Sequence, residues 1–225
     1  MAEKISFTAG GKPIFLYPAG KTAPLVLLHT VHGEGDRVYR AVHDLTDKDF
    51  SFAAVDGLEW DNEMSPWPIP PIAKNDTPCN GGADVHLERL LAEILPAVKA
   101  RLPHPPAYSA LAGYSLAGLF ALYAAYKTAA FSRLACASGS FWYPAFYEFV
   151  CENSMPKSPQ KIYFSLGDKE ARTRNEILKT VEENTRRLVR HYEQKGIKTI
   201  FELNPGNHFH QGIERMAKGI AWVLE

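Results

Sequence analysis

From residue 24 to residue 224 the chain alternates short apolar runs with longer segments of helical periodicity, and that alternation leaves few architectures open to it. Residues 24–29 (PLVLLH) are almost continuously apolar with turn residues on either side, the pattern of a central strand covered on both faces. Residues 52–55 repeat it in shorter form, and residues 108–114, 133–137, 161–166 and 198–203 extend it through the second half. Between these runs, residues 36–45, 84–102, 116–127, 175–195 and 211–224 place apolar side chains at helical spacing. Pro96 is expected to kink the second of these helices and Gly196 to close the fourth. Upstream, residues 4–8 and 13–17 flank Gly10-Gly11 as an antiparallel hairpin. Strands separated by helices pair in parallel, with the helices over both faces. The predicted fold is therefore an α/β domain, residues 1–225, with a mostly parallel central sheet and helices on both faces. In such sheets the site lies in the loops that follow the strands' carboxyl ends.

Composition removes several classes of function. At 225 residues and 46% hydrophobic content the chain has enough apolar material for one sizeable core. Lysine plus arginine (25) equal aspartate plus glutamate (25), so no overall field draws the protein to nucleic acid, an anionic membrane or a polyanionic substrate. Cys79, Cys136 and Cys151 are too few and too scattered for a disulfide framework and form no C-x-x-C pair, which fits a reducing, cytoplasmic setting. The first twenty residues lack a basic segment followed by a long apolar one, and no run approaches eighteen apolar residues, so neither a signal peptide nor a membrane span is expected.

The chemistry is concentrated after three of the strand-like runs. Residues 112–118 read AGYSLAG, with Ser115 between an apolar strand and an alanine-rich helix. In a nucleophile elbow the chain turns sharply from strand to helix, so the positions two before and two after the serine must be small; here they are Gly113 and Ala117, the second departing from the usual G-x-S-x-G. Chance supplies so loose a motif in about one chain of this length in six, so it needs partners. Gly167-Asp168-Lys169-Glu170 follows one later strand and Gly206-Asn207-His208 follows the last. Serine, acid and histidine thus occur in the chain order of an α/β-hydrolase triad. A serine hydroxyl is a weak nucleophile at neutral pH. It needs an imidazole to take its proton and a carboxylate to hold that imidazole in the right tautomer. Asp168 is the rival acid and His210 the rival base. Read without those partners, Ser115 is only a helix N-cap. His29 and His32 suggest a metal site only faintly, because no third ligand accompanies them; a packing or loop role is preferred.

Taken together, LLHTVHGEGD at residues 27–36, GYSLAG at the elbow, and the turns at 167–170 and 206–208 make most of the chain resemble the esterase branch of the α/β-hydrolases that includes enterochelin-esterase-like and feruloyl-esterase-like enzymes. The resemblance implies the α/β-hydrolase fold and favours Glu170 as the acid, three residues after the turn glycine. Ser115, Glu170 and His208 are then the catalytic residues. The oxyanion hole is expected to use the backbone N–H of Leu116 and a second N–H from the loop after His29, Val31 first and Thr30 next. Trp60, Asp61, Asn62 and Trp67 in one loop, with Trp142 and Tyr143 in another, are the candidate substrate-binding residues; their rings either take an apolar or aromatic group or sugar, or roof the core. Residues 141–160 are too short for a large lid. The expected activity is hydrolysis of a soluble, small or medium-sized carboxylic ester through an acyl-enzyme, with no metal or organic cofactor. A thioesterase or peptidase on the same scaffold is the alternative within enzymes. A non-catalytic binding protein is the alternative outside them, suggested by Ala117 and Thr30 where glycine is usual. The sequence carries no sign of an oligomeric state.

Overall fold

The computed structural model describes residues 3–74 and 76–225. Strands β1 (Ile5–Ala9) and β2 (Lys12–Tyr17) form the expected antiparallel hairpin. Gly10 and Gly11 both take positive φ (55° and 70°), the backbone a tight two-residue turn needs and glycine adopts without strain. Then come β3 (Leu25–His29), α1 (Gly35–His43), β4 (Ser51–Val55), α2 (Trp60–Glu63) and a small ribbon of β5 (Pro68–Ile69) and β6 (Cys79–Asn80). Helix α3 (Ala83–Arg89) passes through a π turn (Leu90–Ile94) into α4 (Leu95–Lys99). Strand β7 (Ser109–Tyr114), α5 (Leu116–Lys127), β8 (Arg133–Ala137), α6 (Phe146–Glu152) and β9 (Lys161–Gly167) follow. A 3₁₀ turn (Leu178–Thr180), α7 (Val181–Gln194), β10 (Lys198–Asn204) and α8 (Gly212–Leu224) end the chain.

The main sheet has eight strands in the order β1-β2-β4-β3-β7-β8-β9-β10, and the six from β4 to β10 run parallel. The hairpin joins that parallel block through the antiparallel β2–β4 pair. Within β3 the side chains alternate between two cores: Val26 and Leu28 face the layer containing α1 and α8, whereas Leu25 and Leu27 face the layer containing α3, α5 and α7. Both faces are therefore covered, which is why this strand reads as continuously apolar. Because the six strands are parallel, the residues after β7, β8, β9 and β10 emerge along one edge, where the site is built.

Two local departures from the sequence reading have identifiable causes. The helix expected over 175–195 begins later, because the Asn175 side-chain oxygen accepts the N–H groups of Ile177 and Leu178 (2.9 and 3.1 Å) and so holds the chain in a turn. At Pro96 the expected kink takes the form of the preceding π turn, in which Leu95 N–H donates to Leu90 O; a proline at 96 has no N–H to give the carbonyl four residues back and its ring crowds that carbonyl. Residues 141–160, expected to be too short for a large lid, hold the seven-residue α6.

Candidate active site

Ser115 sits at the junction of β7 and α5 with φ 58° and ψ −125°, a backbone that costs a non-glycine residue about 1–3 kcal/mol. The surroundings hold it there. Its N–H donates to Ala137 O (3.2 Å), and its carbonyl accepts from Gly118 and Leu119 N–H (3.0 and 3.1 Å). A β-carbon on Gly113 would lie 2.3 Å from the backbone of Ala117, so the first small position of the elbow must be glycine. With Gly113 bare, the fully buried Ala117 methyl is accommodated.

Ser115, His208 and Glu170 meet in a line. His208 Nε2 lies 3.0 Å from Ser115 Oγ, and His208 Nδ1 lies 2.7 Å from Glu170 Oε2. A nitrogen facing a carboxylate carries the proton, so Nδ1–H donates to Glu170 and the bare Nε2 accepts from the serine hydroxyl. The other carboxylate oxygen, Oε1, accepts Gly167 N–H (2.6 Å), the Ser138 hydroxyl (2.9 Å) and Arg215 Nη1 (3.0 Å). Burial opposes the charged form of Glu170, but the bonds from His208, Gly167 and Ser138 more than offset it, and the carboxyl lies below its ordinary value. Asp168, the rival acid, points elsewhere: its Oδ1 accepts Gly206 N–H (2.8 Å), tying the turn after β9 to the turn after β10. His210, the rival base, is exposed and its ring packs over Gly206.

Two supporting groups escaped the sequence reading. Arg215 on α8 is only 1% exposed, and besides Glu170 its guanidinium reaches Ser138 Oγ (3.2 Å), Tyr114 Oη (3.3 Å) and the carbonyls of Pro205 (2.9 Å) and Asn207 (3.1 Å). It thus grips both the acid and the loop that carries His208. The signal was present, since Arg215 precedes Gly219 and Val223 at four-residue steps on the buried stripe of α8. The second group is Ser140, whose hydroxyl lies 3.3 Å from Ser115 Oγ. Tyr114, next to the nucleophile, donates its hydroxyl to His208 O (2.6 Å).

The expected oxyanion donors differ in availability. Leu116 opens α5, and the first N–H groups of a helix have no intrahelical partner. Val31 N–H donates to Glu34 Oε1 (3.2 Å), while the neighbouring His32 N–H donates to Oε2 of the same carboxylate (2.8 Å). Thr30 N–H is committed to Val55 O (3.0 Å) and its hydroxyl to Asp56 (2.7 Å), which removes it as the reserve donor.

Two clefts, of about 570 and about 400 Å³, open onto Ser115 and His208. Trp60, Asp61 and Trp142 line the larger, and Trp60 and Val31 line the smaller. Asn62, Trp67 and Tyr143 line neither. Asn62 packs beneath Gly82 and donates to Glu59 (3.2 Å). Trp67 donates to Pro144 O (3.1 Å) and stacks on Phe146, while the buried Tyr143 gives its hydroxyl to Trp67 O. These rings roof the core between the two loops. Asp61 accepts the Thr77 hydroxyl at the rim. His29 faces His86 across a buried Nε2–Nε2 contact of 2.9 Å, and its burial, reinforced by His86, holds its pKa well below the usual value, whereas His32 is exposed. Among the described residues no three His, Cys, Asp or Glu side chains are grouped to hold a metal ion, and no helix is long and apolar enough to cross a membrane.

Comparison with known proteins places the chain in a family. A siderophore hydrolase, EstB, from Aspergillus nidulans is 18% identical with a TM-score of 0.67, over 99% of this chain and 94% of that one. The BES protein from Bacillus cereus is 17% identical with a TM-score of 0.71, over 99% and 96%. The enterobactin esterase FES from Shigella flexneri is 18% identical with a TM-score of 0.66, over 99% of this chain and 59% of that one. At these identities the likeness is one of fold. No curated protein matches the sequence. The family model described as "Putative esterase" matches residues 16–213, nearly the whole chain. The chain accordingly belongs to that family, carboxylic ester hydrolases built on the α/β-hydrolase fold.

Proposed function

We propose that the protein is a serine esterase that cleaves carboxylic esters through an acyl-enzyme, with Ser115 as nucleophile, His208 as general base and acid, and Glu170 as the group that orients His208. The observation that carries this reading is the unbroken line from Ser115 Oγ through His208 to Glu170, with contacts of 3.0 and 2.7 Å. In the first half-reaction Ser115 Oγ bonds to the ester carbonyl carbon as its proton passes to His208 Nε2. Negative charge develops on the former carbonyl oxygen, and Leu116 N–H, at the start of α5, is the donor assigned to it. The tetrahedral intermediate collapses, the C–O bond to the alcohol breaks, and His208 returns the proton to that alcohol. Water then repeats the sequence on the acyl-serine and releases the acid. Glu170 stabilises the imidazolium each time it forms, and Arg215 holds Glu170 in register.

The larger cleft points to the kind of substrate. Among the described residues that line it are Trp60, Trp142 and Ile72 with the carboxylates of Asp61 and Asp76, and no lysine or arginine. Such a lining suits an apolar, uncharged group better than a polyanion. The three cysteines are unpaired, in keeping with a reducing, cytoplasmic setting. The test is Ser115→Ala: turnover of p-nitrophenyl butyrate should fall by at least about 10⁴-fold with the fold intact by circular dichroism. Retained turnover in that variant contradicts the serine mechanism.

A further inference from the structure

The two clefts share a waist, and the residues common to both linings are Ser115, His208, Trp60 and Phe209. The first two are the reacting pair, so the scissile bond lies at this waist. The other two are aromatic. Phe209 is the less expected, because it is 90% exposed while its ring stands edge-on to the imidazole of His208, with centroids 5.3 Å apart and planes at 87°. Isolated exposed apolar residues are ordinary. One that touches the general base and borders both binding clefts is placed where a substrate would cover it. Its backbone is fixed, since Phe209 N–H donates to Asn207 Oδ1 (3.0 Å) next to the carbonyl gripped by Arg215.

We propose that Phe209 is a specificity-determining residue that, with Trp60, clasps the ester at the scissile bond, so that the preferred substrates carry a bulky apolar group on both the acyl and the alcohol side, one in each cleft. This rests on the serine-esterase reading above. Clefts of about 570 and about 400 Å³ fall within the range of small-molecule sites, and the smaller is lined by Leu28, Val38, Ile213 and Met216 beside Glu34 and Arg37, so each has apolar surface to set against a phenylalkyl group. An ester that is small on one side fills one cleft only and covers the Phe209 ring from that side alone. An ester that is large on both sides crosses the waist, buries the ring against its own apolar surface and excludes water from Ser115 and His208. Exposure of Phe209 also makes it a clean probe, because its ring supports no core.

The experiment measures kcat and KM for four esters with the full chain: ethyl acetate, benzyl acetate, ethyl 3-phenylpropionate and benzyl 3-phenylpropionate. The native protein should prefer the last. Phe209→Ala should raise KM for benzyl 3-phenylpropionate about tenfold or more, keep its kcat within about twofold, and lower kcat/KM for that ester at least about fivefold more than for ethyl acetate. Phe209→Trp should restore the native ranking. An unchanged KM for the two-sided ester, or an equal fall in kcat on all four, overturns the proposal, the second result meaning that Phe209 only props His208. Ser115→Ala should abolish turnover of all four. Persistence there, or no turnover by the native protein, instead overturns the serine-esterase reading on which the proposal rests.

Discussion

Glu170 and Asp168 stand two residues apart on one turn, and their hydrogen bonds give them different work. Glu170 receives the imidazole N–H of His208, whereas Asp168 receives the backbone N–H of Gly206. Glu170→Gln should therefore lower kcat by about 10³- to 10⁴-fold, because an amide neither fixes the tautomer nor stabilises the imidazolium. Asp168→Asn keeps an oxygen for Gly206 and should cost no more than about tenfold. Steady-state rates on one ester rank the two, and the reverse order would move the acid role to Asp168. Arg215 offers a second test. Its positive charge, 3.0 Å from Glu170 Oε1, favours the ionised carboxylate. Arg215→Met removes that support from the hydrogen-bonded Glu170–His208 pair, so the acid limb of the kcat/KM profile should move to higher pH while kcat falls about 10- to 100-fold. A variant that loses activity equally at every pH would show Arg215 to be only a packing group. The candidates Ser115, Glu170 and His208 could be picked out in the sequence because Ser115 directly follows β7 and the other two lie in the turns after β9 and β10, while the preference for Glu170 over Asp168 came from the family resemblance. Arg215 was not singled out, because a lone arginine on an otherwise apolar helix stripe marks burial without naming its partner.

At the scale of elements, the short helix α2 brings Trp60 and Asp61 to the cleft, and a buried charge cluster anchors it. Glu63 at its end pairs with Lys12 of β2 (2.7 Å) and Arg89 of α3 (2.7 Å), and lies 3.8 Å from His86 Nδ1. Burial opposes ionisation of Glu63, but His86, Lys12 and the Glu59 N–H prevail and hold its carboxyl far below the ordinary value. A carboxyl whose folded pKa is depressed stabilises the fold fully above its unfolded value, about 4.3, and loses that contribution as pH falls toward the folded value. Glu63→Gln should therefore destabilise by roughly 3 kcal/mol at pH 7, with the gap to the native protein narrowing below about pH 4. Urea denaturation at both pH values checks this, and a gap that widens in acid would contradict it. The long elements were readable because fully covered strands are continuously apolar, as at Leu25–His29, and amphipathic helices repeat every 3.6 residues. The short ones were not. Helices α2 and α6 span too few turns to show a period, and the late start of α7 depends on the side chain of Asn175. Nor does an aromatic loop declare which rings face solvent: Trp67 and Tyr143 turn inward because they bond to each other's segment, while Trp142 faces the cleft.

Across the whole molecule, the sheet brings distant residues together. Ser115 and His208 are 93 positions apart, yet β7, β8, β9 and β10 are adjacent and parallel, so their carboxyl ends share one edge. That convergence follows from alternation alone, which is why the order of serine, acid and histidine carried so much information before any coordinates. What alternation does not specify is the second oxyanion donor. The Val31 N–H depends on where the Glu34 carboxylate lies, a side-chain contact with no trace in strand and helix periodicity. A serine activated by its neighbours reacts covalently with an electrophile that mimics acylation. Incubation of the folded chain with a fluorophosphonate, followed by peptide mass spectrometry, should place one phosphonyl group on Ser115, with labelling lost in Ser115→Ala and strongly slowed in Glu170→Gln. A folded chain that takes up no label, or carries it on another residue, would contradict the activation of Ser115.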